Sequence, residues 1–282
     1  PKPTPHAAMP NKEGTTLFRH EIAYVLGQMR AASAVPTLSA VLADATDDPV
    51  VRHEAGEALG AVATADVLPL LEAHCSDPRP EVAETCQIAA ARVRWVLERD
   101  PAAADAEGFA AENPYHSVDP APATKAPKKK EEFVVVAARL VDTSLPLFER
   151  YRAMFTLRNN GSKAAVKALC AGLADPSPLF RHEVAYVLGQ LGHEAATEAL
   201  MASVENMEEH EMVRHEAAEA LGAIGTPAVT EFLAKYTDDP IIMLRESALV
   251  ALDVVEYWST AAEGISTAAG GAAAAGGATG SA

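Results

Sequence analysis

Apolar residues recur along this chain with helical spacing, and nowhere with the strict alternation of a half-buried strand. In "LFRHEVAYVLGQLG", Leu179 to Gly192, they return every three or four positions. Start and stop signals agree with this. "DDPVVRHEAGEALGAV" offers Asp48 as N-cap and Pro49 at the first helical position. Ser177 and Pro178 repeat the device, and Gly192 predicts a helix stop. Further helices are predicted at "AAVKALCAGLA" and "AATEALMASVE".

The helices are copies of one another. "LFRHEIAYVLGQMR", Leu17 to Arg30, nearly duplicates Leu179 to Gly192. "VRHEAGEALGAV" carries His53 and Glu54, and "VRHEAAEALGAI" carries His215 and Glu216. The spacing within each half is the same (53 − 20 = 33 and 215 − 182 = 33), and so is the offset between halves (182 − 20 = 162 and 215 − 53 = 162). A repeat of this length predicts a solenoid of antiparallel helix pairs, each burying its apolar side only by stacking on its neighbours. The fold expected is all-α, a superhelical solenoid in two pseudo-symmetric halves, with about three pairs in the first and four in the second.

Composition adds the boundaries. With 282 residues and 49% hydrophobic content there is material for a sizeable core. Residues 1–100 form the first half and 132–260 the second. Between them, 101–131 is rich in Pro, Ala and charge, with the run Lys128, Lys129 and Lys130, and reads as a solvated, flexible linker. The Ala/Gly-rich tail, 261–282, is expected to be disordered. Residues 1–16 contain four prolines and no helical pattern. The counterpart of the second half's opening unit would fall before residue 1, so the first half is expected to lack its first repeat.

Charge and cysteines exclude several functions. A net charge of −16 argues against nucleic acid as partner and suits a cationic one. No apolar run approaches the ~18 residues of a membrane span. Three cysteines without CxxC spacing fit buried thiols in a reducing compartment, so the protein is expected in the cytoplasm, as a monomer.

The chemistry lies in the four His-Glu pairs. Adjacent residues on a helix point about 100° apart, and stacked helices lie roughly 8–10 Å apart, so His20 and His53, and likewise His182 and His215, can converge. Two facing halves would gather four imidazoles and four carboxylates. A helix-surface pattern common to the repeat is the bland alternative. Against it, the corresponding helices around Tyr151 and Glu246 lack the pair. Without thiolates, a cysteine-type zinc site is disfavoured. Two imidazoles and a carboxylate suit non-haem iron, manganese and zinc as well, and the count supplies that set twice. A pair of ions ~3.5–4 Å apart, bridged by solvent or dioxygen, would follow. Glu57 and Glu219, four residues beyond His53 and His215, could orient the imidazoles or be solvated charges. Gly27, Gly60, Gly189 and Gly222 stand seven residues beyond the four histidines. A helical glycine costs about 1 kcal/mol, so these imply either close approach of a ligand or tight helix packing.

The four motifs in register, their contexts "FRHEVAYVLGQ" and "VRHEAAEALGAI", and the two-half layout resemble the deoxyhypusine hydroxylase family. The resemblance implies HEAT repeats around two Fe2+ ions. It also implies dioxygen-dependent hydroxylation of the deoxyhypusine side chain of translation initiation factor 5A, giving hypusine. Carried over by motif, His20, His53 and Glu54 would hold one iron, and His182, His215 and Glu216 the other. Glu21 and Glu183 would bind the amines of the substrate side chain. Two other readings stand beside this: a non-catalytic scaffold with surface His-Glu pairs, and a bilin lyase built on related repeats.

Overall fold

The computed structural model describes residues 12–98 and 113–275. Thirteen α-helices and short 3-10 turns make up the regular structure of the described residues. The first half holds α1 (Thr16–Gln28), α2 (Val35–Ala43), α3 (Pro49–Val62), α4 (Leu68–His74) and α5 (Pro80–Leu97). The second holds α6 (Lys130–Val141), α7 (Leu147–Asn160), α8 (Lys163–Cys170), α9 (Pro178–Leu191), α10 (Thr197–Glu205), α11 (Glu211–Ile224), α12 (Pro227–Leu233) and α13 (Ile242–Ala275).

The expected caps are present. The Asp48 side chain accepts from the Val50 N–H and that of Ser177 from the Phe180 N–H, each followed by proline at the helix start. Gly192 ends α9 with φ +55°, a left-handed stop that glycine adopts without steric cost.

Helices α1, α3 and α5 stack as one row, and α7, α9, α11 and α13 as another. The remaining helices pack against these rows. The rows meet at both ends, α5 against α7 and α9, and α13 against α1. Leu17, Val50 and Ile88 of the first half join the second half's core, so the halves share packing.

The "RHE" triplet now separates into two tasks. The arginines before His20, His53 and His182 turn away from the centre and tie the next inter-helix turn. Arg19 donates to Asp47 at 2.7 Å, Arg52 to Asp77 at 2.6 Å and Arg181 to Glu209 at 2.9 Å. Three arginines at the same repeat position donate Nε to the end of the outer helix: Arg52 to the Leu42 carbonyl, Arg150 to that of Leu140 and Arg214 to that of Val204. These are buried, charge-assisted bonds, which fix the register of the stack and leave the histidines facing the other way.

The linker departs from expectation. The part of the linker that is described, 113–129, is not a free tether: Val118, Asp119 and Ala121 are buried, and α6 begins at Lys130. The fully buried Arg158 on α7 donates to both Asp119 oxygens, at 2.8 and 2.7 Å, while Arg92 on α5 donates to the Asp119 carbonyl at 2.9 Å. A strap with few apolar residues is thus held by two arginines from the two halves. Helix α13 continues to Ala275, as the high helix propensity of alanine allows. Residues 276–282, 1–11 and 99–112 lie outside the described residues.

Candidate metal and substrate centre

All four histidines converge between the rows. His20 lies 5.4 Å from His53, 5.4 Å from His215 and 6.0 Å from His182, centroid to centroid. His182 lies 5.5 Å from both His53 and His215. None is more than 6% exposed. The surface-pattern alternative fails on that burial.

The glycines bring the helices this close. A Cβ on Gly27 would stand 2.8 Å from the Ala58 Cα, on Gly60 2.7 Å from the Ala89 Cβ, on Gly189 3.0 Å from the Ala220 Cα and on Gly222 2.7 Å from the Ala251 Cα. Such distances are those of tight helix packing, and none of the four lines the cavity beside the histidines.

The carboxylates complete the cluster. Glu54 reaches across to His20 Nε2 at 3.3 Å, and Glu216 to His182 Nε2 at 3.4 Å. Glu21 lies 3.0 Å from His20 Nδ1 with its side chain 44% exposed, whereas Glu183 is buried with one oxygen unpartnered. Glu57 borders the same cavity. Glu219 is held by Ser247, whose hydroxyl donates at 2.7 Å, and lies 3.6 Å from His215 Nδ1. Of the two candidate orienting carboxylates, Glu219 touches its histidine; no hydrogen bond joins Glu57 to His53.

Charge is crowded here. Burial pushes the carboxyls of Glu183, Glu216 and Glu57 upward, reinforced by neighbouring carboxylates. Burial favours neutral His53 and His182, with the other histidines adding to the effect. For His20 burial acts the same way, but Glu54 and Glu21 outweigh it and raise its pKa. Burying so many ionisable groups together is costly without a compensating ion.

The nitrogens fit such an ion. Both ring nitrogens of His53, Nδ1 of His182 and Nε2 of His215 are buried without a hydrogen-bond partner, while Nε2 of His20 and of His182 meet only the Glu54 and Glu216 carboxylates, at 3.3 and 3.4 Å. Donor atoms of His20, His53 and His182 lie within 4.8 Å of one another, as do those of His182, His215 and Glu216. The first set crosses between the halves. The two sets share His182, and imidazoles with carboxylates are donors of the kind first-row transition-metal ions take.

Sequence reasoning missed part of the lining. Tyr24 and Tyr186, four residues beyond His20 and His182, meet across the halves with their hydroxyls 2.8 Å apart. Their shared repeat position was visible in the duplicated motif; their contact was not. The strap residues Val118, Asp119 and Pro120 close another side of a cavity of about 120 Å³.

The fold and centre define a HEAT-repeat protein with a buried histidine-carboxylate cluster. Residues 12–91, 149–208 and 166–253 match the family described as HEAT repeats. The chain is 50% identical over 243 residues to a Danio rerio protein named deoxyhypusine hydroxylase, covering 86% of this chain and 77% of that one. It is 51% identical over 249 residues to the Mus musculus protein of that name, covering 88% and 79%. The solved structure of human deoxyhypusine hydroxylase in complex with glycerol superposes with a TM-score of 0.81 at 48% identity, covering 89% of this chain and 84% of that one. The chain belongs to the deoxyhypusine hydroxylase family: an enzyme, a hydroxylating oxidoreductase of hypusine formation. The scaffold and bilin lyase readings fall with that assignment. No described helix is long and apolar enough to cross a membrane.

Proposed function

We propose that this protein is a di-iron monooxygenase that hydroxylates the deoxyhypusine side chain of translation initiation factor 5A with dioxygen. The observation that carries this is the set of buried, unpartnered imidazole nitrogens beside Glu54 and Glu216. In this reading His20, His53 and Glu54 hold one iron, and His182, His215 and Glu216 the other. When bound, the iron pair supplies reductive activation of dioxygen, with an external donor giving the electrons, which no protein side chain can provide.

The chain's own residues bind and position. Deoxyhypusine is a long aliphatic arm bearing two cationic nitrogens. Glu21, partly exposed, and Glu183, buried with a free oxygen, face the cavity and pair with those nitrogens. Two anchored charges fix which carbon of the arm lies beside the centre, and such positioning can supply several kcal/mol of the barrier. The strap limits water in the cavity, which strengthens those charge pairs. A chain of net charge −16 also attracts a basic partner surface.

The test is to incubate iron-loaded protein with deoxyhypusine-bearing factor 5A, reductant and isotopically labelled dioxygen. One labelled oxygen atom should appear on the side chain by mass spectrometry. Unmodified substrate after prolonged incubation with fully loaded protein would overturn the reading.

A further inference from the structure

The two tyrosines at the cavity carry one hydroxyl proton more than they use. Tyr24 and Tyr186 make a single mutual hydrogen bond, so of two O–H groups one is left over. A fixed chain decides which. Arg158 has only donors, so the amide oxygen of Gln190 must face it, at 2.9 Å. The Gln190 NH2 is then turned to Tyr186 and donates to its hydroxyl oxygen at 2.9 Å. With that acceptor position filled, Tyr186 gives its own proton to Tyr24. Tyr24 has no equivalent feed. Gln28, at the repeat position of Gln190, is turned instead to the strap, where its side-chain oxygen accepts from the Val118 N–H at 2.8 Å. The spare O–H therefore sits on Tyr24, which borders the cavity. Burial lifts the Tyr24 pKa to about 12, so the proton stays in place.

The other polar groups of the cavity are carboxylates, imidazoles and the Gln28 amide, and among the described residues the Tyr24 hydroxyl is hydrogen-bonded to Tyr186 and to none of them. The substrate arm brings C–H groups and cationic N–H donors, and nothing that could accept from a phenol. On the arm itself an acceptor appears only with reaction, as the new hydroxyl. On the reading that the arm is hydroxylated here, we infer that Tyr24 donates a hydrogen bond to the oxygen installed on the side chain, with Tyr186, Gln190 and Arg158 as positioning residues that aim it. Tyr24 thus favours the hydroxylated arm over its precursor.

The experiment is anaerobic binding of two peptides to iron-loaded protein, one carrying deoxyhypusine and one hypusine. In Tyr24→Phe the affinity for the hypusine peptide should fall about three- to tenfold, as for loss of one neutral hydrogen bond, with deoxyhypusine binding unchanged. Gln190→Glu should reproduce that selective loss with both phenols intact. The introduced carboxylate can only accept, so Tyr186 would donate to it, Tyr24 to Tyr186, and no O–H would remain. Equal losses for both peptides, or none for hypusine in either variant, would overturn the inference. Wild-type protein that binds neither peptide would instead count against the substrate reading on which it rests.

Discussion

Gly27 on α1 faces Ala58 on α3 so closely that a Cβ on the glycine would stand 2.8 Å from the Ala58 Cα. The same contact recurs for Gly60, Gly189 and Gly222, each two turns beyond a histidine. Close backbones bring His20 and His53 within 5.4 Å of one another. Alanine at a helical glycine position ordinarily gains about 1 kcal/mol. Here the added carbon must displace backbone, and overpacking costs about 1–3 kcal/mol. Gly222→Ala, with Ala251 atoms 2.7 Å from the new carbon, should therefore lower the melting temperature and loosen metal binding. A stabilised variant with full metal would contradict this role.

The sequence revealed the repeat, the caps at Asp48 and Ser177, and the histidines, because each is a local pattern repeated at fixed spacing. It left the glycines open, since packing and ligand approach demand the same small residue. It misjudged the strap, whose burial depends on Arg158 and Arg92 from distant helices rather than on its own composition. Tyr24 and Tyr186 were readable as repeat equivalents, but their contact needed the halves to face each other.

The strap yields its own prediction. Arg158 is fully buried against Asp119. Removing one partner of a buried pair typically costs about 3–5 kcal/mol because the other charge is left uncompensated. Arg158→Ala should lower the unfolding free energy by that order in urea titration and increase protease cleavage near Ser117. Unchanged stability and protection would mean that the strap is not held this way.

Metal binding should be proton-linked. For His20, burial lowers the pKa, but Glu54 and Glu21 outweigh it, so the metal-free ring holds a proton above the usual 6.5. Burial, then Glu219 and Glu21, raises Glu216 in the same way. A metal at these atoms must expel those protons, so affinity rises with pH above 6.5 and protons enter the buffer. Calorimetry with Zn2+ in buffers of different ionisation enthalpy measures the release. Affinity independent of pH, with no protons released, would refute the linkage.

Glu21 and Glu183 should separate substrate binding from metal binding. Glu21→Ala and Glu183→Ala are expected to weaken binding of a deoxyhypusine peptide at least tenfold, as for a charge-assisted bond, while keeping most of the iron. Iron loss equal to that in Glu54→Ala would reverse the assignment.

The central claim is that the two halves each hold one iron. Metal analysis of reconstituted protein, scored per chain, tests it most directly. Two irons are expected in the wild type and one in His53→Ala and in His215→Ala, or none where the sites load together. Two irons retained in both variants, or none in the folded wild type, would contradict it.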